Sequence, residues 1–158
     1  MGAPRREESA SGPAATSARM VLFFAGDERF ALPLEEVREV VVPRPPFARV
    51  PRAPKMVRGA MNLRGRVVAV IELAPLLGLA ADLLRPEEGH VIILDRERRG
   101  LGLLVKGIVG VQDLEVPREP ESREPRGLVR GTAQLAGAAV TVLDAQAVEG
   151  LAASLFVR

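Results

Sequence analysis

The chain has 158 residues, of which 47% are hydrophobic and 27% charged, enough to pack a core in one domain or two very small ones and too apolar for wholesale disorder. It has no cysteine and one histidine, His90, which excludes disulfides, thiol chemistry, cysteine zinc sites and histidine-rich metal sites. Twenty-two basic residues against twenty acidic ones give a formal charge of +2, and the high isoelectric point near 9.9 follows from arginine, which hardly deprotonates, rather than from a large cationic excess.

Residues 1–18 are mostly Ala, Ser, Gly, Pro, Arg and Glu without periodicity, so they read as a disordered tail ahead of a folded region spanning 19–158. They lack the apolar stretch of a secretory signal, and no later run approaches the ~18 residues of a membrane span. The expectation is a cytoplasmic protein with no direct membrane insertion. Met20–Ala25 has the length of a strand, Gly26-Asp27-Glu28 signals a turn, and Arg29–Pro33 returns as a second strand. Leu34, Val37 and Val40 fit a helical turn, whereas Val37, Glu39 and Val41 fit a strand; the pattern leaves both open. Five prolines between Pro43 and Pro54 predict an extended, irregular connection. Val57–Leu63 and Val67–Ile71 flank Arg64-Gly65 as a hairpin. A polar loop follows over Asp82–Gly89. His90–Leu94 and Leu101–Val105 form another hairpin, and Pro117–Arg126 reads as a charged loop. Val129–Leu135 and Ala138–Leu143 form the last hairpin, and Ala145–Phe156 has the composition of a closing helix.

An internal repeat organises these pieces. Val57–Leu73 lies over Val129–Ala145 at a constant offset of 72, with seven of seventeen positions identical, among them Arg58/Arg130, Gly59/Gly131 and Gly65/Gly137. Upstream, at an offset of 71, Phe30–Leu34 lies over Leu101–Val105 and Val37…Val40 over Ile108…Val111. Two units, roughly 20–80 and 90–150, each contain a hairpin, a short irregular element and a second hairpin. Units of this size close most readily as small barrels, with strand exchange between them left open and a groove where they meet. Glycine at 65 and 137 suits a turn that requires positive φ.

Chemistry-bearing motifs are weak. Gly100-Leu-Gly102 is a truncated phosphate-loop pattern that enters a strand rather than a helix. His90 reads as a strand-edge residue. Glu72 and Asp144 occupy equivalent repeat positions, which suggests strand-end caps rather than a catalytic carboxylate pair. No serine has a nucleophile-elbow setting. The reading is a non-enzymatic protein with no cofactor and no metal. Two binding features remain. One is the stretch between Glu39 and Glu72, which has no acid and contains Arg44, Arg49, Arg52, Lys55, Arg58, Arg64 and Arg66. The other is the set Val37, Val40 and Val41 beside Glu39.

These residues carry a resemblance. Val37-Arg-Glu-Val40, the Asn62-Leu-Arg-Gly65 block within Val57–Leu73, and the later blocks Gly102–Val111 and Gly127–Asp144 resemble the CheW-type chemotaxis coupling proteins over Met20 to about Ala152. The resemblance implies an all-β fold with short helices: two tandem small SH3-like five-stranded barrels and a closing C-terminal helix. It also implies an adaptor between the cytoplasmic tip of a methyl-accepting chemoreceptor and the regulatory domain of a CheA-type histidine kinase, with recruitment to receptor arrays. By matching position the partner-binding residues are Val37, Glu39, Val40 and Arg64. Lys106 stands where the family usually has Asp, and Ala69 where it often has Pro. The alternative from composition is a basic barrel that binds nucleic acid, against which the stretch offers only Phe47 as a stacking ring.

Overall fold

A computed structural model describes residues 15–80, 83–94, 100–117 and 125–156. The strands are β1 (Ala15–Ala25), β2 (Glu28–Pro33), β3 (Val37–Val41), β4 (Val57–Leu63) and β5 (Arg66–Glu72), then β6 (His90–Leu94), β7 (Leu101–Val105), β8 (Gly107–Pro117), β9 (Val129–Leu135) and β10 (Ala138–Leu143). Two helices follow the second hairpin of each unit: α1 (Leu73–Leu76) and α2 (Ala145–Ser154). Neither is long and apolar enough to cross a membrane. Short 3-10 turns cover Leu34–Glu36 and Pro86–Glu88.

The strands form two five-stranded sheets, ordered β8-β1-β2-β10-β9 and β3-β6-β7-β5-β4. Read position by position, the two orders are the same structure in two copies with their first hairpins exchanged. Unit one lends β1 and β2 to the sheet of β8–β10, and unit two lends β6 and β7 to the sheet of β3–β5. The single parallel pairing recurs at the same place in each, β2 with β10 and β5 with β7. Even the bulges repeat: the register slips at Arg38 in β3 and at Val109 in β8, and at Arg58 in β4 and Arg130 in β9. A bulge increases twist and bends the strand, which is what rolls five short strands into an SH3-like barrel.

Three apolar clusters hold the pair together. Met20, Leu22, Ala31, Val140 and Val142 fill one barrel. Met61, Val68, Val70, Val91, Ile93 and Leu104 fill the other. Between the barrels lies the largest cluster, with Phe23, Phe30, Leu32, Ile71, Ile92, Leu103, Leu128 and Val148 of α2. Alternate residues of β1 and β6 therefore enter different cores, and both faces are buried. This is why those strands read as unbroken apolar runs. Gly102 belongs to this packing and not to a phosphate loop: a Cβ there would lie 2.5 Å from Val91 Cγ1.

The repeated hairpin turns are a matched pair. Arg64 and Gly65 have φ of +51° and +84°, and Ala136 and Gly137 have +51° and +79°, two-residue turns of the type whose twist suits a β-hairpin. The Gly65 N–H also donates to Asn62 Oδ1 at 2.8 Å. A Cβ on Gly65 meets nothing within 4 Å, so Gly65→Val should destabilise by the backbone strain alone, about 1–3 kcal/mol. Gly65→Asn, which tolerates positive φ, should lose much less. Urea unfolding of the two variants decides between strain and an unforeseen packing role.

Two expectations need correction, and one open reading is resolved. Ala15–Ala18, expected within the tail, instead pair with Pro117–Leu114 of β8; backbone ladder bonds do not require apolar side chains, so composition could not see them. Residues 1–14 lie outside the described residues. The irregular element expected in each unit is a strand, and in unit two it is the 11-residue β8. The ambiguous Leu34–Val41 is both things in sequence, a 3-10 turn and then a strand. Of the charged loop, residues 118–124 lie outside the described residues, as does Asp82 of the polar loop.

Candidate functional site

Two arginine–carboxylate pairs come from the repeat itself. Arg58 Nη1 lies 2.5 Å from Glu72 Oε1, and its counterpart Arg130 Nη1 lies 3.6 Å from Asp144 Oδ2. Both arginines are the bulged residues of their hairpins. Asp144 acts as an end cap as expected, accepting from the Ala147 N–H at 2.9 Å at the start of α2. Glu72 departs from that expectation. It makes no cap bond to α1; its buried carboxylate also accepts from the Leu84 N–H at 3.0 Å, while Arg58 Nη1 donates to the Leu84 carbonyl at 2.6 Å. This network ties the connection between the units to the second barrel. Because pairing survives in both halves, it belongs to the architecture.

A third pair exists in one half only. Arg64, at the tip of the β4–β5 hairpin, donates to Glu39 Oε2 of β3. β3 and β4 are the opposite edges of their sheet, so this contact spans the seam where the barrel closes. Bulging at Arg38 sets the orientation of Glu39, and the positive-φ turn lifts Arg64 toward it. In the other barrel the corresponding positions are Gly110 and Ala136, and β8 packs directly against β9. The Glu39–Arg64 pair is not demanded by the fold, and with the Arg64 side chain two-thirds exposed it contributes little to stability. That leaves it available for another molecule.

The seam is flanked by depressions on both sides. One is lined by Arg38, Glu39, Leu63, Arg64, Arg66 and Val67, the other by Val41, Val42, Arg44, Met61, Asn62 and Arg64. Exposed apolar side chains line them at Val42 and Val67, 65% and 71% exposed, and Val40, 37% exposed, follows Glu39 in β3. The structure brings Glu39 and Arg64 together and leaves Val40 on the open face of β3. Val37 is different. It packs against the inter-barrel core, so it braces the start of β3 and has little surface to offer. Val42 and Val67 were missed. Val42 shares the parity of Val40 along the strand and was legible; Val67 sits in a run without alternation and was not. Phe47 is half-buried and packs onto the second barrel's core.

Exposed aliphatics and an anchored charge pair thus mark the seam of one barrel in a two-barrel module. Residues 19–150 match the CheW-like domain family. The chain is 31% identical over 137 residues to the chemotaxis protein CheW of Rhizobium meliloti (strain 1021), covering 82% of this chain and 85% of that one. It is 28% identical over 123 residues to the chemotaxis protein CheW of Thermotoga maritima, covering 73% and 80%. The fold is shared with the crystal structure of the scaffolding protein TtCheW from Thermoanaerobacter tengcongensis, at a TM-score of 0.69 and 21% identity over 82% of this chain and 90% of that one. The chain belongs to the CheW-like domain family, that of the chemotaxis coupling proteins. Nothing in these likenesses supports the nucleic-acid alternative.

Proposed function

We propose that the chain bridges the cytoplasmic tip of a methyl-accepting chemoreceptor to the regulatory domain of a CheA-type histidine kinase. It acts in the cytoplasm and at receptor arrays, performs no catalytic step, and uses the Glu39–Arg64 seam with Val40 as its contact surface. Val37 supports that surface from beneath. The observation that carries this reading is the asymmetry between halves: Arg58–Glu72 recurs as Arg130–Asp144, whereas Glu39–Arg64 has Gly110 and Ala136 opposite it. A reversible scaffold needs a modest interface with a few apolar anchors and a polar rim. A partly exposed guanidinium already oriented by one carboxylate can bind a second at reduced entropic cost.

Arg64→Ala should weaken association with the receptor tip or the kinase domain by about 1–3 kcal/mol. The fold should survive, since the side chain is largely exposed. Calorimetric titration with each partner, beside circular dichroism, is the test. Unchanged affinity for both partners would reduce Arg64 to a solvated turn residue.

A further inference from the structure

Between Glu39 and Glu72 the chain carries seven cations and no acid. Arg64 and Arg58 pair with the two acids that bracket the stretch. Arg44, Arg49, Arg52 and Lys55 are all exposed, and among the described residues no ion pair or hydrogen bond engages their side chains. The segment bearing them is built to stay in place. Phe47 packs against the core of the second barrel and Pro43 is buried. Ala48 and Ala60 exchange two backbone hydrogen bonds of 2.8 Å, which adds a short bridge to the free edge of β4. The Val57 N–H donates to the Pro54 carbonyl at 2.9 Å. Five prolines restrict what remains.

Four like charges held on one anchored segment repel one another over a screening length of about 8 Å at physiological salt, and among the described residues no acid pairs with them. Their field is complementary to an acidic surface and speeds its approach. We propose that the 43–55 segment is a preorganised cationic platform for an acidic patch on the protein partner seated at the Glu39–Arg64 seam. This rests on the preceding reading of that seam and deepens it. Continuity supports it: Arg44 lines the same depression as Val42 and Arg64, so an occupant touching Arg64 reaches the platform. Two features favour a protein over a lipid surface or a nucleic acid. The Glu39 carboxylate stands at the same face and opposes a uniformly anionic sheet of phosphates. The segment's single aromatic ring, Phe47, is half-buried against the core, so the segment lacks the row of exposed rings on which successive bases stack.

The test is association kinetics of the full chain with the receptor tip and with the kinase regulatory domain, from about 25 mM to about 500 mM salt. The variant is Arg44→Gln, Arg49→Gln, Arg52→Asn and Lys55→Gln together, with Asn at 52 because φ there is +61°. For at least one partner the on-rate of the unaltered chain should fall roughly tenfold across that range. The neutralised variant should start roughly tenfold slower and show a nearly flat salt dependence, with its off-rate little changed. Arg64→Ala should instead raise the off-rate. Identical on-rates for the unaltered and neutralised chains at every salt overturn the platform while leaving the seam intact, and loss of the Arg64 effect alone overturns the seam. If neither partner binds the unaltered chain, the scaffold reading fails by itself. Poly-L-glutamate then decides the platform: retention lost on neutralisation supports it, and no retention overturns it. Phosphatidylglycerol vesicles or duplex DNA binding that depends on the four cations, with partner on-rates unaffected, also overturns it.

Discussion

Replacing Arg58 by Ala is expected to cost about 3–5 kcal/mol of folding stability. Glu72 is only 1% exposed and its carboxylate is satisfied by Arg58 and the Leu84 N–H. Removing the guanidinium leaves a carboxylate charge buried without its counter-ion and leaves the Leu84 carbonyl without its 2.6 Å donor. Both penalties are larger than the net worth of the contacts themselves. The repeat supplies its own control. Arg130→Ala removes the equivalent residue, but that pair is 3.6 Å apart and more than a quarter exposed on both sides, so about 0–1 kcal/mol is expected. Urea unfolding of both variants makes the comparison; equal losses would mean that the burial of Glu72 has no energetic consequence. Local opening should also differ, with amide exchange rising at Leu84 in the Arg58 variant only.

Gly59→Val should cost about 3 kcal/mol or more, through two mechanisms that add. The backbone there has φ of +134°, a region closed to β-branched residues. A Cβ would also sit 2.6 Å from Phe47 Cβ and 2.7 Å from the Ala48 carbonyl oxygen, so the proline-rich segment must move away. Gly65→Val suffers only the first effect, because its Cβ meets open space. The Gly59 variant should therefore be the less stable of the two, and trypsin should cut it faster within 43–55, where the cations provide its sites. A Gly59 variant no less stable than the Gly65 variant would show that the segment is not seated on β4. Loss of that seat should also slow partner association, since the platform's cations would no longer be held together.

Much of this architecture was legible because duplication writes it twice. Seven identities in seventeen positions placed Gly65 and Gly137 in equivalent turns, and the structure gives both pairs of turn residues positive φ. Hairpins β6–β7 and β9–β10 were readable to the residue, since glycine-bearing turns separate apolar runs of strand length. Glu39 and Arg64 were singled out, and their side chains meet. Local pattern also carried the closing helix, whose Asp144 cap lies where the apolar strand ends.

What no local pattern contains is where a strand goes after it forms. The exchange of β1–β2 for β6–β7 depends on which hydrophobic faces meet, and Leu22 and Phe23 are equally apolar although one enters a barrel and the other the space between barrels. Ala15–Ala18 became strand because β8 was long enough to pair with them. Glu72 and Asp144 look alike in the sequence, yet Glu72 is buried by the Leu84 connection while Asp144 stays partly open to solvent beside α2. Composition and periodicity therefore determined the repeated units and their turns, because these depend on neighbours within a few residues or on a unit's likeness to its twin. Only tertiary packing decided the strand exchange, the burial of Glu72 and the exposure of Val42 and Val67, because each depends on surfaces brought together from distant parts of the chain.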